Sequence, residues 1–174
     1  MRAQFALVPF ATLAIVVPAH AVVYLSVEQA QAIMFPGARF TPAFKTLTKE
    51  QVTAIEKASG IGVHERELRL WRVSTGGRFI ADSVVGKHDD IPFALGLDAD
   101  GAVKSVEILE YRESYGDQVR NPAWRSQFTG KKHGAALMLT KDIQNISGAT
   151  LSSRHITDGI KRLLATYAIA IAQD

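Results

Sequence analysis

A chain of 174 residues, with 47% hydrophobic and 21% charged residues, is long enough for one packed domain. It contains no cysteine, which excludes disulfides, thiolate metal sites, iron–sulfur clusters, c-type haem attachment and a lipid-modified cysteine anchor. The formal charge of +3 comes from Lys and Arg residues scattered among Asp and Glu, without the basic stripe of a nucleic-acid binder, so no nucleic-acid partner is expected.

Arg2 is followed by no acidic or basic residue until Glu28 apart from His20, and residues 5–17 are almost wholly apolar. Ala19 and Ala21 then stand at the −3 and −1 positions of an Ala-x-Ala processing site. Residues 1–21 read as a secretory signal cleaved after Ala21. The alternative is an uncleaved anchor, since residues 5–25 match the roughly 20 residues a spanning helix needs, although Pro9, Pro18 and His20 interrupt it. Either reading puts the folded part, residues 22–174 as a single domain, in the periplasm or on the extracytoplasmic face of the membrane.

Ser26 and Gln29 have the spacing of a capping box and predict a short helix to about Met34, ended by Pro36-Gly37. Residues 38–47 read as extended. Thr48 and Gln51 repeat the capping signal and open a second helix, which stops near Gly60. Residues 67–73 alternate polar and apolar, as a half-buried strand does. After the Gly76-Gly77 turn, strands are predicted over residues 78–87, 91–97 and 103–111, with Asp98-Ala99-Asp100-Gly101 as a hairpin turn rather than a calcium loop. Pro122 starts a short helix. The chain closes with an amphipathic helix over about residues 151–172, whose buried stripe is Ile156, Ile160, Leu163, Leu164, Tyr167 and Ile171. The fold class is therefore α+β: an antiparallel β meander packed with a few helices and a C-terminal amphipathic helix.

The segment Ser147-Gly148-Ala149-Thr150-Leu151-Ser152-Ser153 precedes that last helix. Small residues there allow a ligand close to the backbone, and the first N–H groups of a helix lack internal partners. Such a place suits a phosphate, and it equally suits an ordinary Ser/Thr helix cap after a glycine turn. No histidine has metal-ligand spacing, and no Gly-x-Ser-x-Gly elbow is present, so neither a metal nor a hydrolytic triad is expected. His133 is a candidate for lining the site, and His155 for approaching the phosphate.

The Ser-Gly-Ala-Thr run resembles the attachment motif of the FMN-binding domain family, which includes the flavin subunits of the sodium-pumping NADH:quinone reductase and of the Rnf complex. Glu113-Ser114-Tyr115-Gly116 is similar to that family's Glu-Thr-Pro-Gly loop, and Trp124, Gln127, Phe128, Gly130 and Lys131 to its Trp-x-x-Gln-Phe-x-Gly-Lys pattern. The resemblance covers roughly residues 78–170. It departs at Tyr115, where the family has Pro, and at Gln144, where the family has Asp six residues before the modified Thr.

This resemblance implies an exported electron carrier with FMN held by a phosphoester to Thr150. A flavin transferase would install it, and membrane or periplasmic redox proteins would be its partners. Ser147, Gly148, Ala149, Leu151 and Ser152 would surround the phosphoryl group. Tyr115, Trp124 and Phe128 would wall the flavin ring, with core packing as the other reading of Trp124 and Phe128. Lys131 would meet the phosphate or the ring's N1/C2 edge, or lie free on the surface. Glu113 would bond the flavin or fix its own loop, beside Ser114 and Gly116. Two other functions fit the same residues: a flavin-dependent reductase of a small or extracellular acceptor, and a flavin-free binding module. No acid–base pair marks the chain as a stand-alone enzyme.

Overall fold

The structure, a computed structural model, describes residues 22–113 and 115–173. The expected signal or anchor at residues 1–21, and the candidate Ser114, lie outside the described residues.

The chain runs through β1 (Val22–Val23) into α1 (Val27–Met34). Ser26 caps α1: its hydroxyl accepts the Gln29 N–H at 3.2 Å, and Gln29 Oε1 accepts the Ser26 N–H at 2.8 Å. The short strands β2 (Phe40–Pro42) and β3 (Lys45–Thr46) occupy the extended stretch. Helix α2 (Lys49–Ser59) starts with the same reciprocal box between Thr48 and Gln51 and ends at Gly60, whose φ of 74° suits glycine. The meander follows as β4 (Glu67–Val73), β5 (Arg78–Val85), β6 (Asp90–Leu97), β7 (Val103–Ile108) and β8 (Glu110–Tyr111). Then come α3 (Pro122–Arg125) and α4 (Thr150–Thr166), which continues as a π-helical turn over Tyr167–Ile171.

All pairings in the main sheet are antiparallel, in the order β2-β4-β5-β6-β7, with β3 also on β4. This is the expected α+β arrangement. Two expectations are corrected in detail. The strand over residues 103–111 is two strands, because the chain leaves the ladder at Leu109. The Leu109 carbonyl accepts N–H groups from Tyr24 (3.0 Å) and Leu25 (3.2 Å), and β8 pairs with β1. The last helix changes to π geometry near its end, where the Ala172 N–H donates to the Tyr167 carbonyl at 2.8 Å.

The middle of the sheet is buried on both faces, which is why β6 is apolar along nearly its whole length, while β4 stays half-buried. On one face α1 packs Ala30, Met34 and Phe35 against Phe79, Ala81 and Ala94. On the other, α2 and α4 bury Ile55, Ile156, Ile160, Leu163 and Leu164 against Leu70, Ile80, Ile91, Phe93 and Leu95. Each such aliphatic side chain taken fully from water contributes about 1.5–3 kcal/mol, so the α4 stripe holds that helix in place across the sheet.

Ile160 is fully buried at the centre of this stripe. Ile160→Ala is expected to cost about 2–5 kcal/mol, read as a lower denaturant midpoint with an unchanged slope. An unchanged midpoint would contradict this packing.

Candidate functional site

Thr150 is the first residue of α4, and the residue before it, Ala149, has no side chain able to cap the helix. The hydroxyls nearby divide into two sets. Ser152 Oγ shares a hydrogen bond of 2.8 Å with the Tyr111 hydroxyl, and Ser153 Oγ donates to the Ala149 carbonyl at 2.9 Å; both serines are buried. Thr150 is exposed, and Asn145 Nδ2 donates to its Oγ1 at 3.2 Å. Gly148, at φ 81°, has no atom within 4 Å of the place a Cβ would take, so space opens beside Thr150.

That space is a cleft of about 350 Å³. Three segments line it: residues 148–152 at the start of α4, Glu113 and Tyr115 from the loop after β8, and Lys87 and His88 from the turn between β5 and β6. Tyr115 is 82% exposed and Leu151 45%, so two large apolar side chains border the cleft in water. Ser147 is exposed but outside the lining. An uncapped helix start, a reachable hydroxyl, a cation at Lys87 and flanking apolar surface are what a phosphate bearing a flat ring requires, so the residues present fit FMN.

Glu113 fixes a loop backbone. Its Oε1 accepts the successive N–H groups of Lys87, His88 (2.7 Å) and Asp89 (3.2 Å), holding the β5–β6 turn at the cleft. Burial by itself would raise the Glu113 carboxyl. The N–H groups of His88, Asp89 and Lys87 outweigh it and hold the carboxyl below its ordinary value of 4.5. A second latch joins the loop after β8 to α4. The Tyr111 hydroxyl donates to the Tyr115 carbonyl at 2.6 Å while bonded to Ser152. Gly116 passes over this junction at φ 102°, where a Cβ would overlap the Tyr111 hydroxyl and come within 3.1 Å of Ala149 Cβ.

Trp124, Phe128 and Lys131 are placed elsewhere than the resemblance implied. Trp124 is 5% exposed and Phe128 0%, in edge contact at 5.2 Å within the core, and neither lines the cleft. Core burial gains more for these rings, and the indole N–H has its own backbone partner there. Trp124 Nε1 donates to the Gln144 carbonyl at 2.7 Å, and Gln127 Oε1 accepts the Gln144 N–H at 2.7 Å. Lys131 is neither at the cleft nor free on the surface. Its ammonium sits 3.0 Å from Asp142 Oδ2, and Asp142 also accepts the N–H groups of Leu137 (3.1 Å) and Met138 (2.7 Å). Together these residues clamp the segment that leads to Thr150. His133 lies in a separate pocket with Lys132, and His155 is bonded to the Val85 carbonyl. Sequence reasoning gives Lys87 and His88 no place in the site; only the β5–β6 hairpin brings them there.

Because Glu113 is held below its ordinary value, its ionised form stabilises the turn above about pH 4.5, and this is lost as pH falls through the lower folded value. Protection of the His88 and Asp89 amides from exchange, taken relative to an unstructured peptide at the same pH, is expected to be high at neutral pH and to fall in that acid window. Glu113→Ala should abolish that protection at every pH. Equal protection in the variant would contradict the latch.

Residues 86–165, which contain every residue lining the cleft, match the model of the FMN-binding domain family. The chain is also similar to one component of the Na(+)-translocating ferredoxin:NAD(+) oxidoreductase complex of Acetobacterium woodii. The two are 24% identical over 138 residues, which cover 71% of this chain and 67% of that protein. The uncapped helix start, the open glycine beside it and the cleft they face thus all lie within residues 86–165, the stretch of this chain that is similar to the FMN-binding domain family.

Proposed function

We propose that this protein is an exported electron carrier that holds FMN through a phosphoester to Thr150, installed by a flavin transferase. The observation that carries this reading is the Thr150 hydroxyl, which stands exposed at an uncapped helix start and opens on the cleft.

When bound, FMN supplies redox chemistry in steps of one or two electrons. The protein's own groups have separable tasks. The first N–H groups of α4 and the Lys87 ammonium offset the phosphoryl charge. Tyr115 and Leu151 present apolar surface to the ring. Glu113 holds the turn that carries Lys87 and His88, and Tyr111 ties the Tyr115 loop to the helix. A tether at Thr150 retains the cofactor where lost FMN is not readily replaced. The apolar residues 5–17 and the Ala-x-Ala before Val22 support work outside the cytoplasm. The similarity to a component of a sodium-translocating oxidoreductase complex supports membrane or periplasmic redox partners.

The test is intact mass after maturation with the transferase. The wild-type chain is expected to gain one flavin phosphoryl group and to fluoresce in a denaturing gel. Thr150→Ser should gain it too, since the ester needs only a hydroxyl. Thr150→Ala should gain none, and covalent flavin on that variant would refute the tether.

A further inference from the structure

We propose that Asn145 is the positioning residue for the modification of Thr150: its amide holds the Thr150 hydroxyl ready for attack and then donates to the phosphoryl group that replaces the hydroxyl proton. This rests on the phosphoester reading above.

Two observations single out Asn145. Its Nδ2 lies 3.2 Å from Thr150 Oγ1, a contact made across the turn that ends in Gly148 and Ala149. Its Oδ1 is shielded from solvent with no hydrogen-bond partner among the described residues. A buried amide oxygen left in that state is unfavourable, so local bonding of the side chain itself does not account for its placement. The placement comes from the neighbouring residue. Gln144 has its N–H taken by Gln127 and its carbonyl taken by Trp124, so the residue leading into Asn145 is held at both of its backbone polar groups. Gln144, at the position where the family pattern has Asp, thus acts here through its backbone, and the side chain that reaches the nucleophile is the next one.

The chemistry uses this placement at two stages. Thr150 Oγ1 attacks the phosphorus of a flavin phosphoanhydride. The P–Oγ1 bond forms, the anhydride P–O bond breaks, and the phosphate-bearing leaving group departs. The hydroxyl proton passes to a base of the transferase or to water, and no electrons change hands. Before attack, the amide N–H fixes one lone pair of Oγ1 and so the direction of the other. Afterwards Oγ1 is an ester oxygen, a weak acceptor, while the phosphoryl oxygens carry the charge within reach of the same donor. A neutral amide serves both stages without repelling the incoming anion. A carboxylate at this position would repel it.

The test is the initial rate of flavin incorporation by the transferase into purified, unmodified wild type, Asn145→Ala and Asn145→Asp. Asn145→Ala is expected to lower the maximal rate roughly tenfold or more, without a change in the half-saturating protein concentration or in the melting temperature of the unmodified chain. The near-isosteric Asn145→Asp is expected to be slower still. Wild-type rates in either variant would overturn the proposal, as would a loss of rate that merely follows a lowered melting temperature. If wild type itself takes up no flavin while folded, the phosphoester reading fails and this proposal with it. Wild type modified alongside a fully active Asn145→Ala defeats this proposal alone.

Discussion

The burial of α4 against the sheet decides where everything else in the site can be. Its stripe of Ile156, Ile160, Leu163 and Leu164 has no exposure to speak of, so the helix cannot shift or roll without uncovering several large side chains. That rigidity delivers the first turn of the helix, uncapped by any side chain, to a fixed place. A helix start is a useful anion site only when its N–H groups are aimed and left unspent. Here the two nearest serines spend their hydroxyls inward, and the one threonine does not.

Three separate clamps build the cleft on that fixed turn. Tyr111, bonded to Ser152, brings the loop after β8 down onto the helix, and Gly116 lets that loop come close. Glu113 gathers three successive N–H groups of the β5–β6 turn. Trp124, Gln127 and Lys131 hold the approach to Thr150 from the core side. Each clamp joins residues far apart in sequence through a polar group that is itself at least half-shielded, where a hydrogen bond counts for more than in open water. The cleft therefore owes its shape to bonds between loops as much as to the sheet beneath it.

Much of the fold is legible in the residues. Two capping boxes, a period-two run at residues 67–73, an Asp-Gly hairpin turn and a period-3.6 stripe each act over a few residues, and each is found where its local chemistry puts it. The Asp98 carboxylate, for example, accepts the N–H groups of Asp100 and Ala102, as a tight turn requires. What is not legible is long-range. Nothing near Leu109 announces that its carbonyl will serve Tyr24 and Leu25. Nothing near Lys87 or His88 announces a carboxylate from Glu113. The Trp-x-x-Gln-Phe-x-Gly-Lys pattern shows the difference most clearly. Its aromatic rings invite a place against a flavin, yet they pack in the core, and it is Trp124 and Gln127 that act on the site, through the backbone of Gln144. Type and spacing reveal that such residues matter, and only the packing reveals what they touch.

The proposed tether is chemical and local: one hydroxyl, that of Thr150, would carry the phosphoryl group. Trypsin cleaves after Lys141 and Arg154, so a digest of the matured protein isolates residues 142–154 as one peptide with Ser147, Thr150, Ser152 and Ser153 together. Fragmentation of that peptide is predicted to place flavin phosphate on Thr150 and nowhere else. A yellow, matured protein whose peptide is bare, or whose flavin maps to one of the serines, would contradict the account.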